Sequence, residues 1–322
     1  MMFFLFKIFK KLENLFFEGP KDYLLKTRFG KILKKIPGLR DFNRAEYNFS
    51  NWLYYKLKPK GVTLINVQGN KMYVNTDDMG VVRVTLIQGV WEKYETELFK
   101  KLVKEGMVVV DIGAYFGYYS LLGAKLVGKY GTVYAFEPEP ANYKLLCKSI
   151  ELNGYTNIVV PIQKAISNKC GKIKLWVDRF NLGSASISEV NTLPALFCNL
   201  SKKVSVEVET TTLDEFFKNT VKNNKVDFIK IDTQGAEGFI IDGLIKILKS
   251  NNSLKIFMEF WPDGLRNLGT SPLGLLLKLQ KYGFNIKLIN ERKQILESIE
   301  PIGFMKKVRP KEEFNLLLEK SE

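Results

Sequence analysis

The 322-residue sequence predicts an α/β fold, a mostly parallel sheet with helices on both faces, preceded by a basic helical extension. Three observations predict it. Short β-branched runs alternate with stretches of helical periodicity from residue 61 onward. Acidic residues stand at or near the ends of four of these runs: Asp111, Glu137, Asp232 and Glu259. Gly113 and Gly117 form a tight turn between the first buried run and a helix, a place where a backbone can approach a nucleotide-like ligand closely.

Residues 1–17 put Leu5, Ile8, Phe9, Leu12, Leu15 and Phe16 at helical spacing, with lysines toward the other face. Such a basic amphipathic helix either docks on the body or a partner subunit, or lies in a membrane interface as a peripheral contact. Residues 21–58 continue helical and basic, broken at Ile36-Pro37-Gly38. Lys58-Pro59-Lys60-Gly61 then marks a boundary between an extension, 1–60, and a domain, 61–322.

Val62–Val67 and residues 71–75 alternate like a hairpin around Gln68-Gly69-Asn70. Residues 81–104 read as one helix, stopped by Gly106. Val108–Ile112 is the first buried strand, and the helix after the glycine turn runs to Val127. Residues 132–138 form a second strand, 141–152 a helix opened by Pro138 and Pro140, and 158–166 a third strand. Strands at 173–177 and 204–210 flank a polar stretch, 179–203, carrying Ser184, Ser186 and Ser188. That stretch reads as a substrate-facing loop or a surface insertion. Thr212 takes the N-cap position of a following helix, with Glu215 at capping-box spacing. Residues 226–232 and 254–260 are the fourth and fifth core strands, 273–282 a helix, and 284–289 and 314–319 the last strands. Residues 295–308 carry no assignable pattern.

Composition limits the chemistry. Histidine is absent, which removes a Ser-His-Asp triad, histidine metal ligands and a histidine base. Proton transfer falls to Asp, Glu, Lys, Tyr or water. Cys147, Cys170 and Cys198 are too scattered for a disulfide framework or a structural zinc site, so no metal is expected and a reducing, cytoplasmic setting fits. Net charge is +15. Residues 1–60 hold eleven lysines and three arginines against five acidic residues, so +9 of it lies in the extension, which favours an anionic surface as partner.

In open parallel sheets, ligands bind beyond the carboxyl ends of the strands. Four carboxylates there would repel a phosphate. They suit a ligand with ribose hydroxyls, an amino group and a positive centre, and S-adenosylmethionine has all three. Glu137 lies 20 residues beyond Gly117, the spacing at which a carboxylate reaches ribose hydroxyls.

The residues resemble those of FkbM-type methyltransferases. The similar stretches are Val-Val-Asp-Ile-Gly-Ala-x-x-Gly-Tyr-Tyr-Ser at 109–120, Val-Tyr-Ala-Phe-Glu-Pro at 133–138, Glu-Thr-Thr-Thr-Leu-Asp at 209–214 and Ile-Lys-Ile-Asp-x-x-Gly-Ala-Glu at 229–237. The resemblance implies a Rossmann-like class I methyltransferase fold with a seven-stranded, mostly parallel sheet. It implies S-adenosyl-L-methionine as cofactor and O-methylation of a sugar, glycan, glycolipid or hydroxylated small molecule. By position, Asp111, Gly113, Ala114, Tyr115 and Gly117 would cradle the amino-acid part, Glu137 and Pro138 the ribose, and Ala165 and Ile166 the adenine. Asp232 would face the transferred methyl group.

Two residues depart from the pattern. Tyr115 stands where the family commonly has Asn, and a Tyr there is strained if its φ is positive. Thr233-Gln234 replaces the usual Val-Glu. Asp232 is the first candidate for a general base, with Glu237 or Glu259 next; the other reading is that Asp232 only holds the cofactor and Glu237 only caps its helix. A nicotinamide-dependent oxidoreductase would share Glu137 but would usually carry Gly-x-Gly-x-x-Gly. A non-catalytic membrane- or nucleic-acid-binding protein on a degenerate fold ranks below the enzyme, and nucleic acid ranks low as a partner.

Overall fold

The computed structural model describes residues 58–190 and 203–320, apart from 79, 179, 180 and 224. Most of the 1–60 extension, with the amphipathic segment 1–17, therefore lies outside the described residues, as does Cys198.

The order along the chain is β1 (Val62–Val67), β2 (Asn70–Asn75), α1 (Val81–Gln88), α2 (Lys93–Leu102), β3 (Val108–Ile112), α3 (Tyr118–Val127), β4 (Thr132–Phe136), α4 (Pro140–Leu152), β5 (Val159–Ile162), β6 (Ala165–Ile166), β7 (Gly171–Asp178), β8 (Asn181–Ser186) and β9 (Lys203–Thr211). There follow α5 (Leu213–Phe216), β10 (Phe228–Ile231), α6 (Glu237–Asp242), α7 (Ile245–Ser250), β11 (Lys255–Phe260), α8 (Pro262–Asn267), α9 (Pro272–Lys281), β12 (Phe284–Asn290), β13 (Ile295–Ser298), α10 (Pro301–Met305) and β14 (Phe314–Lys320).

The large sheet has the order β13-β12-β14-β11-β10-β3-β4-β5. Strands β5, β4, β3, β10 and β11 are parallel, and β14 runs antiparallel between β11 and β12. Seven of the eight strands are those expected; β13 is an added strand hairpinned onto β12. The strand runs are apolar on both faces because both faces are covered. Val109, Phe228 and Phe257 pack with Phe99 of α2, Leu121 of α3 and Leu146 of α4. Their neighbours Val110, Ile229 and Ile256 pack on the opposite face with Leu213, Ile240, Leu276 and Leu279.

Four expectations are corrected. The helix expected over 81–104 is two, because Gly89 caps α1 at φ 71° and Glu92 turns the chain at φ 43°. The expected third strand, 158–166, is also two. Strand β5 contains Pro161 and sits at the sheet edge, where a missing N–H is tolerated. Ala165 and Ile166 instead pair with Thr210 and Thr211 in a second sheet, β6-β9-β7-β8. Part of the polar 179–203 stretch is strand β8, and within 295–308 lie β13 and α10. The Thr212 cap forms as expected, its hydroxyl accepting the Glu215 N–H at 3.0 Å.

Among the described residues no helix is long and apolar enough to cross a membrane.

Candidate active site

Strands β3 and β10 lie side by side while the connections leaving them diverge, β3 toward β4 and β10 toward β11. Such a switch point opens a crevice at the strand carboxyl ends. The Asp232 N–H donates to the Ile112 carbonyl at 3.1 Å and ties the two ends together. Gly113 follows at φ 85°; a Cβ there would sit 2.1 Å from the Asp232 carbonyl oxygen, so no other residue fits. Tyr115 has φ 53°, the strained conformation foreseen for it. The turn places the Tyr115 N–H 2.7 Å from Glu137 Oε2, while Glu137 Oε1 accepts the Glu139 N–H at 2.9 Å. Burial nevertheless pushes the Glu137 carboxyl up to about 7.

Two cavities meet here, sharing Gly113, Tyr115, Gly183 and Asp232. The smaller, about 70 Å³, is bordered by Phe136, Glu137, Pro138, Asn142, Ala165 and Ile166, and β8 covers it with Leu182 and Ser186. The larger, about 630 Å³, holds Asp111, Ala114, Asp232 and Glu259 together with Glu92, Glu313, Trp91 and Phe314. Ser120 Oγ donates to Asp111 at 2.5 Å, and burial raises the Asp111 carboxyl to about 6. Gln234 Nε2 donates to both oxygens of Glu259 at 3.0 Å. A glutamate at 234 would set two carboxylates against each other, which is the physical sense of that departure.

Two expected site residues border neither cavity. Gly117, at φ 97°, starts α3, and a Cβ there would meet Leu146 at 2.6 Å. Glu237 is fully buried and folds back on its own helix start, accepting from Thr233 Oγ1 at 3.0 Å and the Gly235 N–H at 3.1 Å. Its carboxylate caps the turn after β10, the second of the two roles the sequence allows it.

Sequence reasoning missed the charged floor of the larger cavity. Lys230 is 2% exposed, with Nζ 3.2 Å from Glu95, 3.3 Å from Asp232 and 5.1 Å above the Tyr119 ring. Burial alone would lower its pKa; Glu95, Asp232, Glu92 and Glu259 hold it well above the ordinary lysine range, so it stays charged. Burial, with Glu95 next to it, pushes Glu92 up to about 8. The signal for Lys230 was present, a charge inside the buried run Phe228-Ile229-Lys230-Ile231 and two residues from Asp232, hence on the same strand face. Periodicity puts Glu92 and Glu95 inside a single helix over 81–104, where acidic side chains are ordinary and mark no site.

A narrow apolar slot with a carboxylate at its strand end, opening into an acidic cleft, fits an adenosyl group joined to a cationic amino-acid tail. The family model described as Methyltransferase FkbM domain matches residues 111–286, more than half of the chain. The chain belongs to the FkbM methyltransferase family. It is an S-adenosylmethionine-dependent methyltransferase, which sets aside the nicotinamide alternative.

No curated protein matches this FkbM methyltransferase. Among solved structures it is similar to a protein described as an rRNA-methylase from Clostridium thermocellum, at 14% identity over 71% of this chain and 95% of that one, TM-score 0.42. It is similar to an S-adenosylmethionine-dependent O-methyltransferase from Thermotoga maritima, at 14% identity over 84% and 82%, TM-score 0.40. M. jannaschii TYW2, solved with AdoMet, matches at 15% identity over 82% and 89%, TM-score 0.41.

Proposed function

We infer that this methyltransferase acts on a hydroxyl of a sugar, glycan, glycolipid or hydroxylated small molecule. The observation that carries the reading is the larger cavity, whose carboxylates Asp232, Glu259, Glu92 and Glu313 lie beside Trp91 and Phe314. Carboxylates accept hydrogen bonds from several hydroxyls at once, and an aromatic face covers the apolar side of a ring. The thiols of Cys147 and Cys170 are free, which accords with a cytoplasmic setting.

The cofactor, when bound, supplies a methyl group on a cationic sulfur. Glu137, Pro138, Ala165 and Ile166 hold its adenosyl part in the small cavity, and Asp111, Gly113, Ala114 and Tyr115 border its amino-acid part. Asp232 faces both cavities and accepts the acceptor's hydroxyl proton; Glu259, steadied by Gln234, is the second choice. Lys230 balances their charge from below. Alignment of the hydroxyl with the methyl carbon carries much of the rate, and the base adds about 10²–10⁴-fold.

The test is transfer of a labelled methyl group from S-adenosylmethionine to separated glycan, lipid and small-molecule fractions. Label in a carbohydrate-bearing fraction, stable to mild base as an ether is, is the expected result. Label confined to nucleic acid or protein would overturn the reading.

A further inference from the structure

Strand β8 closes the crevice from outside. It is the edge strand of the second sheet, and it meets β7 at Trp176–Ser186 and Asp178–Asn181, on either side of a register shift. Strand β7, by contrast, pairs with β9 along its whole length. Gly183 in the middle of β8 borders both cavities. Two side chains fasten the strand. The buried Asp78 accepts the Gly80 N–H at 2.9 Å and the Val82 N–H at 3.0 Å with Oδ1, and the Gly183 N–H at 3.3 Å with Oδ2. One carboxylate thus shapes the start of α1 and holds β8 against it. At the far end of β8, Ser186 Oγ donates to the Gln234 carbonyl at 3.0 Å, two residues along the chain from Asp232.

The small cavity suits an adenosyl group in chemistry and falls short in size. It offers about 70 Å³, whereas ligand pockets usually hold roughly 300 Å³ or more. A wall must therefore move to seat a nucleoside. Ile112 and Phe136 are buried ends of β3 and β4, strands with a neighbour on either side. Strand β8 has a neighbour on one side and an interrupted ladder, so it is the wall that lifts most cheaply. We propose that β8 is a lid over the cofactor, and that Asp78 and Ser186 are positioning residues that latch it shut. The lid lifts to admit the adenosyl group and closes on it before methyl transfer. The proposal rests on assigning the small cavity to the adenosyl group.

The experiment is stopped-flow measurement of S-adenosylhomocysteine association and dissociation on the full-length protein. Tryptophan fluorescence reports it, since Trp91 borders the larger cavity. Wild type is compared with Asp78→Asn, Ser186→Ala and Glu137→Ala. Asp78→Asn keeps an oxygen for the Gly80 and Val82 N–H groups and sets its amide N–H against that of Gly183. Ser186→Ala removes the second tie. Each latch variant is expected to raise both rate constants together, about three- to tenfold, the worth of one hydrogen bond, with Kd nearly unchanged. Faster dissociation without faster association would mean a damaged pocket wall and overturn the proposal, as would wild-type rates in both variants. Ser186→Ala alone decides should Asp78→Asn fail to fold, because the Asp78 carboxylate also starts α1. If Glu137→Ala loses binding while both latch variants keep wild-type rates, the cavity assignment stands and the lid falls. If Glu137→Ala binds as wild type does, the assignment falls and takes the lid with it.

Discussion

Lys230 Nζ lies 3.2 Å from Glu95 Oε1, with both side chains almost wholly buried beneath the cleft. The pair joins the central strand β10 to α2, two elements more than 120 residues apart in the chain. Removing one partner strands a charge in the interior. Lys230→Met should therefore lower stability by about 3–5 kcal/mol, while Lys230→Met with Glu95→Leu should recover much of the loss. Urea unfolding of the two single variants and the double variant measures this. Additive losses would mean that the pair is not coupled.

Asp232→Asn keeps the size of the side chain and removes its capacity to take a proton. S-adenosylhomocysteine affinity by calorimetry should stay unchanged, while single-turnover methyl transfer falls about 10²–10⁴-fold. Loss of ligand binding in this variant would instead assign Asp232 to holding the cofactor.

Burial raises the carboxyl groups of Asp111 to about 6, Glu137 and Glu237 to about 7, and Glu92 to about 8. The sign follows from linkage. A folded-state pKa above the unfolded value means that the native state binds protons more tightly. The resulting stability is complete below the unfolded value near 4–4.5 and is lost as pH rises through the folded value. The ligand-free protein should thus melt at a higher temperature at pH 5.5 than at pH 8.5. Glu137→Gln should flatten the profile by a contribution on the order of 3 kcal/mol. Cofactor affinity should run the other way, rising with pH through about 7 as Glu137 ionises to accept from the ribose, and this dependence should vanish in Glu137→Gln. Calorimetry at constant ionic strength measures both.

Gly113→Ala places a methyl group 2.1 Å from the Asp232 carbonyl oxygen at φ 85°. Backbone meets backbone there, so no side chain can swing aside. The variant should lose about 2–5 kcal/mol of stability and also bind S-adenosylhomocysteine poorly in its folded fraction. Wild-type stability by urea titration would contradict the tight apposition of the β3 and β10 ends.

The sequence by itself determined the parallel core and its cofactor edge. The apolar runs at β3, β4, β10 and β11 must be buried on both faces, and Asp111, Glu137 and Asp232 close or follow such runs, so the ligand edge follows from strand direction alone. Family motifs then named the cofactor. Tertiary structure decided what lies opposite that edge. Glu92 reaches the cleft because the chain turns at φ 43° between two helices that periodicity merges into one. Ala165 and Ile166 border the small cavity from a second sheet. Glu237, at the spacing of a catalytic residue, turns back on its own backbone. Periodicity reports which face of an element is buried, whereas the partner across that face is set by packing between segments far apart in the chain.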